Sequence, residues 1–441
     1  MQMLTKVASV VQCLLGEWAE EAAAESGVIQ RKRKFSARSL AQTFVLGFLR
    51  RANASDEQLA QMAGLCGVSL TPQAVEQRFT SRLVAFLETL FRRGLQCAVS
   101  SSKSLAPLLE RFTDVLVIDS STISLPAEMA ERFPGCGGRY GSGKAALKCQ
   151  VQWSLKSGGL DTISIEAGRD CDYKSSLQQA RLSAGTLRIA DLGYFDTKVF
   201  ERFSRDGVFW LSRLQFNTNV YSPDGEVLAL LNWLAARKGI VDQPVLLGSE
   251  RKISCRILAW RVPEEVANRR RGKLIAAAKR KSGRVPGAAR LAWCNWMILV
   301  TNVPAEKLSP AEAAVLYRAR WQIELLFKRW KSYGRVAELT GATWERQMAK
   351  LWARLLAVLL QHWLLLTSAW GDPRCSLTKV CEAIRSVATL LAVSLHNKPR
   401  LVEALQALIR ITTSTARQNK RKRPSTFELL NDPSKLEYSL T

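Results

Sequence analysis

The sequence has two histidines in 441 residues, and none of its ten cysteines forms a Cys-x2-Cys pair. Zinc fingers, His-rich metal sites and a Ser-His-Asp relay are therefore poorly supported. The scattered cysteines read as reduced, mostly buried thiols of a cytosolic protein. The N-terminus, "MQMLTKVASVVQCLLGEWAEEAAAE", lacks the basic-then-apolar pattern of a secretory signal. The most apolar stretch, residues 355–370, is interrupted by Gln361 and His362 and falls short of the roughly 18 clean apolar residues of a membrane span. It reads as a buried helix, and no membrane partner is expected. There is no internal repeat and no long low-complexity tract. Acids are scarce as well: 38 Asp and Glu against 64 Lys and Arg leave a net charge of +26. A chain this positive repels itself unless it meets a polyanion. Nucleic acid is the leading partner; an anionic membrane surface or a ribosomal contact is the plainer alternative.

What is present falls into blocks. Residues 1–112 read as helical. Within them "LAQMAGLC", "GVSL" and "TPQAVEQRF" are spaced like a helix-turn-helix, with Thr71 as N-cap and Pro72 at the first helical position. Two readings stay open, a groove-binding pair or an ordinary helical hairpin. The "RKRK" at 31–34 is a second basic feature, either a phosphate-contacting arm or a solvated turn. From 113 to 215 strands alternate with helices. "DVLVIDSSTISL" begins as a strand buried on both faces, "ALKCQVQWSL" alternates with period 2, and "LDTISIEAG" follows. "KSSLQQARLSAG" looks helical, "TLRIADLGY" is another buried strand ending in an acid, and "VFWLSRLQ" closes the block. This is an α/β pattern with a mixed sheet. Residues 216–305 interrupt it with "VYSPDGEVL", "QPVLLG", "KISCRILAWRV" and "LAWCNWMILVT", all strand-like. Between the last two, residues 268–290 carry nine cations and no acid, a density that favours phosphate contact over a merely solvated segment. A helix signal opens at Ser309, with Pro310 at the first position and Glu312 completing a capping box, and serves the block 306–340. Residues 341–441 are helical and end in a basic tail.

The stretch "YRARWQIELLFKRWK", 317–331, holds five cations and one acid, Glu324. On a regular helix Tyr317, Arg320, Glu324, Lys328 and Lys331 fall within an arc of about 80°. Salt bridges from Glu324 to Arg320 and Lys328 are the bland explanation. They do not explain three cations and a phenol around one acid. A two-metal phosphoryl-transfer site does: carboxylates hold two hard cations about 4 Å apart, and flanking cations grip the phosphates. Oxygen ligands suffice, so the shortage of histidine is no obstacle. Asp119, ending "LVID", and Asp191, ending "LRIAD", supply two more acids after buried strands, where an unpaired charge is costly. Alone, each is better explained by a strand-end Asp capping a turn; with Glu324 the order is Asp, Asp, Glu.

The spacing Tyr-x2-Arg-x3-Glu-x6-Lys at Tyr317, Arg320, Glu324 and Lys331 resembles the signature of the IS4 family of bacterial insertion-sequence transposases, which includes the Tn5 enzyme. "IDSSTISLP", "ADLGYFD" and "WMILVTNVP" are similar to the segments around its first Asp, its second Asp and the strand entering the signature helix. "ADLGYFD" departs from the acid-rich sequence around the second Asp of the Tn5 enzyme. The resemblance covers roughly 110–340. It implies a ribonuclease H-like fold with a β-rich insertion, flanked by helical N- and C-terminal regions. It implies Mg²⁺, with Mn²⁺ as substitute, held by Asp119, Asp191 and Glu324. Tyr317, Arg320 and Lys331 would hold phosphates of the double-stranded DNA near the element's end, and Lys328, on the same helix face, is a further DNA-binding candidate. The implied reaction is nicking at inverted-repeat ends, release of the element and joining of its 3′ ends to target, by a homodimer in a synaptic complex, cytoplasmic and beside the nucleoid. Some members cut the second strand through a hairpin with a base flipped onto an aromatic ring; Trp296 occupies the matching place, and a packed strand Trp is the alternative. Trp321 reads as packing beside the site. The rivals are a junction resolvase or structure-specific nuclease on the same fold, a catalytically silent DNA-binding regulator, and a basic RNA-associated protein.

Overall fold

The computed structural model describes residues 2–30, 35–102, 104–136, 144–370, 372, 374–419 and 423–436. The "RKRK" at 31–34 lies outside the described residues. Nine strands form one sheet in the order β3-β2-β1-β4-β5-β9-β8-β7-β6. They are β1 (Val115–Leu125), β2 (Ala145–Ser154), β3 (Leu160–Ala167), β4 (Leu187–Ala190), β5 (Phe209–Arg213), β6 (Val220–Tyr221), β7 (Val241–Leu247), β8 (Ile253–Arg261) and β9 (Trp296–Thr301). β1 pairs antiparallel with β2 and parallel with β4, and β4 runs parallel with β5. This is the mixed sheet the sequence pattern implies. The insertion strands continue it through an antiparallel β5–β9 pairing.

Parallel strands buried on both faces need continuous apolar runs, and β4 is buried at every position. β2 is buried throughout as well, although it alternates polar and apolar. Leu147, Cys149, Val151 and Trp153 join the main core. The opposite face finds acids instead: Gln152 donates to Asp161 at 2.7 Å and the Ser154 hydroxyl to Asp114 at 2.6 Å. Paired in this way, a buried polar row is tolerated.

Three sequence expectations are corrected. "KSSLQQARLSAG" holds only the short 3₁₀ turn Ser176–Gln178, because Ser164, Ser175, Ser176 and Glu166 hydrogen-bond one another there and compete with a helix. The residues before Trp296 are not strand: Ala288–Trp293 is a helix, and β9 starts at Trp296. The second helix of the proposed helix-turn-helix is only Pro72–Glu76, although Thr71 caps it through the Ala74 N–H at 3.2 Å.

N- and C-terminal helices share one core. Trp344–Ser368 is its axis, buried from Met348 to Leu366 apart from Lys350, and packs against Ala37–Arg50, Ser81–Leu95 and Leu377–Ser394. It is long and apolar enough to cross a membrane by composition, but its apolar surface lies inside the protein. Half of the cysteines are buried, and all ten are free. The helix also carries buried His362, which shares the Gly158 carbonyl with the Trp153 indole at 2.8 and 2.7 Å. Gly158 sits at φ +72, and a Cβ there would meet the Trp370 ring at 2.5 Å. Burial pushes the His362 imidazole down to about 4. A folded-state pKa below the ordinary value means stability present above about 6.5 and lost as pH falls toward 4. Urea unfolding is expected to show a loss of about 2 kcal/mol between pH 7 and pH 5 from this group, flattened in His362→Gln. An equal slope in that variant would assign the acid sensitivity elsewhere.

Candidate active site

Parallel pairing sets the first two acids side by side. Ile118 is registered with Ala190, so Asp119 and Asp191 are the next residues on adjoining strands. Neighbouring strands lie about 4.8 Å apart. The third acid arrives on the signature run. The Ser309–Glu312 capping box is present, with the Glu312 carboxylate accepting from the Ser309 N–H at 2.9 Å. The run is not one regular helix, however. Pro310–Ala319 and Trp321–Ser332 meet at Arg320, where backbone bonds close over three residues: Arg320 N–H to Tyr317 and Ile323 N–H to Arg320. This tightened turn tucks Tyr317 inward, to 7% exposure, and brings Arg320 over the sheet.

Arg320 is the hub. Its guanidinium reaches Asp119 at 3.2 Å and Glu324 at 2.8 Å. Tyr317 reaches Asp191 with its hydroxyl at 3.5 Å. Asp191 and Glu324 both act electrostatically on Asp119. Burial, reinforced by these two acids, pushes Asp119 up to about 6 against the pull of the Ser120 N–H and Arg320. Burial and Asp191 likewise push the Tyr317 phenol up to about 12, so it stays a donor. The Arg320 Nε is buried and has no hydrogen-bond partner among the described residues. Among the described residues no three His, Cys, Asp or Glu side chains stand close enough to share one ion. The guanidinium fills the space between them. In donor chemistry the set fits hard cations, being all carboxylate.

The other expected residues divide. Lys331 donates to the Thr122 carbonyl at 3.1 Å, so it lies along β1 beyond Asp119. Lys328 is exposed and forms no ion pair among the described residues; of the two bridges in the plainer explanation of Glu324, that to Arg320 is present, and the Trp321 indole rather than Lys328 donates to the other oxygen. Trp321 is 55% exposed rather than packed. Trp296 is the reverse: at 5% exposure it belongs to the insertion's own core with Ile298 and Val300, and the Arg261 guanidinium lies 5.0 Å from its ring centre. The flat face that a flipped base needs is covered in this structure, and Trp296 is not brought to the acids.

Sequence reasoning missed a supporting network. Asp172 accepts from the Ser120 hydroxyl at 2.9 Å, Lys148 at 3.1 Å and Gln150 at 3.1 Å. Gln150 in turn accepts from the Tyr194 hydroxyl, which sits in the turn Leu192–Tyr194 just after Asp191. One acid thus ties the residue after Asp119 to the turn after Asp191. The signal available was "IDSS" beside the polar face of β2; the partners are too far apart in sequence to pair by inspection. Replacing Asp172 by Ala is expected to lower cleavage about 10- to 100-fold, with a higher metal requirement, as for other groups that orient metal ligands. Unchanged metal dependence would reduce Asp172 to a packing role.

A family model described as Transposase DDE domain matches residues 110–360, more than half of the chain. The chain belongs to the Transposase DDE domain family. The transposase for insertion sequence element IS231F of Bacillus thuringiensis subsp. israelensis is 26% identical over 94% of this chain and 92% of its own length. The transposase for IS1151 of Clostridium perfringens is 28% identical over 78% and 77%. A putative transposase InsL for IS186A of Escherichia coli (strain K12) is 38% identical, over 24% of this chain and 28% of its own. The resemblance to insertion-sequence transposases of the IS4 family is borne out. For this DDE transposase domain a ribonuclease H-like core follows, and β3-β2-β1-β4-β5 has the matching order. The matched span runs across all three acids.

Proposed function

We propose that this transposase binds the inverted-repeat ends of its own insertion element, cuts them at Asp119, Asp191 and Glu324, and joins the 3′ ends to target DNA. The observation that carries the reading is the convergence of three carboxylates, from β1, the residue after β4 and the signature run: Asp119 and Glu324 meet at the Arg320 guanidinium, and Asp191 accepts from the Tyr317 hydroxyl of the same run. Asp119, Asp191 and Glu324 would hold Mg²⁺, with Mn²⁺ as substitute. Bound there, two such ions would supply activation of a water or 3′-hydroxyl and charge stabilisation at the leaving oxygen.

The chain's own residues do the rest. Asp119, with its pKa near 6, is ionised at neutral pH and ready to accept a cation. Arg320 guards the acids while the site is empty of substrate and is placed to turn to a phosphate. Tyr317, held protonated, donates rather than accepts. Lys331 and exposed Lys328 lie on the same helix for backbone phosphates. Arginine and lysine differ here: the fork of Arg320 spans two acids, whereas the lysines act as point charges. A homodimer pairing two ends is the assembly proposed, acting in the cytoplasm beside the nucleoid. With Trp296 covered, the reading does not include a hairpin step through that residue.

The test is a linear duplex carrying the element's end, incubated with the full chain in Mg²⁺ and in EDTA and resolved on a denaturing gel. A nick at the end boundary in Mg²⁺ alone supports the reading. Tight binding without cutting in Mg²⁺ or Mn²⁺, with both ends supplied, would favour the silent regulator.

A further inference from the structure

The basic run of the insertion folds as the helix Glu264–Ser282, which connects β8 to β9. Of its nineteen residues only Ala267 is buried, so most of the helix stands clear of the body. Its inner side is fastened. Arg270 donates to the Trp296 carbonyl at 3.0 Å, and Arg271 bonds Asn295, Asn268 and Glu264. Its outer side is different. At 100° per residue Arg269, Lys273 and Arg280 share an arc of about 40° and span about 16 Å. All three are exposed and form no ion pair or hydrogen bond among the described residues. Between them lie Gly272 and Ala276. A Cβ on Gly272 would meet nothing within 4 Å, so no packing contact demands glycine there. Glycine inside a helix costs about 1 kcal/mol relative to alanine. Bare backbone flanked by cations suits close approach of a phosphate chain.

Topology places this helix. β9 runs antiparallel to β5, and β8 antiparallel to β9, with Arg261 registered against Trp296. The helix therefore leaves β8 at the sheet edge where β4 and β5 end, the edge that holds Asp191. β4 to β8 is three strand steps, about 14 Å across the sheet, and β8 runs three residues past the level of Arg213 before the helix starts, so the helix lies at least about four base pairs of a duplex strand away. Arg213, ending β5, acts electrostatically on both Tyr317 and Arg270 and bridges the interval. A cationic track thus runs from Arg320 through Arg213 to the helix.

We infer that the outer face of Glu264–Ser282 binds the phosphate backbone of the duplex being cut, about four or more base pairs from the scissile phosphate. The inference rests on the transposase reading for the identity of that duplex, and its chemistry is sequence-independent. The variant is Arg269→Gln/Lys273→Gln/Arg280→Gln in the full chain. The probe is a duplex of about 40 base pairs spanning the element's end and its flank, titrated in EDTA by fluorescence anisotropy at several salt concentrations. Each lost phosphate contact lowers the salt slope by about 0.9. Three lost contacts make wild-type affinity fall about 40-fold more than the variant's between 50 and 200 mM salt. Circular dichroism and melting should be unchanged, because the three side chains are exposed and form no ion pair or hydrogen bond among the described residues. An unchanged slope with normal wild-type binding overturns this inference alone. Normal end binding with loss of a second, target duplex reassigns the face to target and also overturns it. Failure of the wild type to bind any duplex would remove the transposase reading as well.

Discussion

Glu324→Gln, Asp119→Asn and Asp191→Asn are each expected to reduce end cleavage by about a thousandfold or more, with end binding changed less than about threefold. A thousandfold corresponds to about 4 kcal/mol of lost transition-state stabilisation. Each change removes a charge while keeping shape, so the loss separates from unfolding. Glu324 is the cleanest case. Its carboxylate is half-exposed; Oε1 accepts from Arg320 and Oε2 from Trp321, and the amide keeps one of these two acceptors. Asp119→Asn carries an additional signature. Burial disfavours its ionised form, so the amide should leave the metal-free fold no less stable at neutral pH, despite abolishing activity. A single-turnover cleavage assay in Mg²⁺, with binding measured in parallel, checks all three. A variant that cuts at the wild-type rate loses its place among the ligands.

Arg320→Ala is the second large effect expected, a loss of about 10² to 10³ in cleavage, the range for removing one preorganised electrostatic contact. The structure adds a consequence that a phosphate-binding role alone would not give. Arg320 neutralises Asp119 and Glu324 directly. Without it, partly buried acids face one another with no cation between them, and such an arrangement is costly. Thermal unfolding of the variant should be depressed in EDTA and largely restored by millimolar Mg²⁺, a larger metal response than the wild type shows. Arg320→Lys should recover part of the stability but not the two-acid bridge. If wild type and variant respond equally to Mg²⁺, the guanidinium does not stand in for metal charge.

The acids and the sheet were legible for a physical reason. "VLVI" and "LRIA" are buried on both faces, and a charge placed straight after such a strand needs a partner. The Ser309-Pro310-Glu312 start was legible because capping is local chemistry. The break at Arg320 was not. Its backbone stays in the right-handed helical region, with φ −48 and ψ −36, and no Gly or Pro marks it. Trp296 is covered and Trp321 exposed, the reverse of the expectation, because an aromatic side chain in a short apolar run gives no sign of which face is covered. The period-2 alternation of β2 does not say what covers its polar side; the acids it meets, at 114, 161 and 172, come from other segments and only the folded sheet brings them together.

Iron can test the central claim directly. Fe²⁺ replacing Mg²⁺ in the full chain, followed by ascorbate and peroxide, generates radicals that cut the backbone beside the bound ion. Fragment masses should end within a few residues of Asp119, Asp191 and Glu324, should disappear with excess Mg²⁺, and should weaken in Glu324→Gln. Cuts elsewhere, or cuts at these segments that excess Mg²⁺ and Glu324→Gln leave untouched, would contradict a metal centre at these three acids.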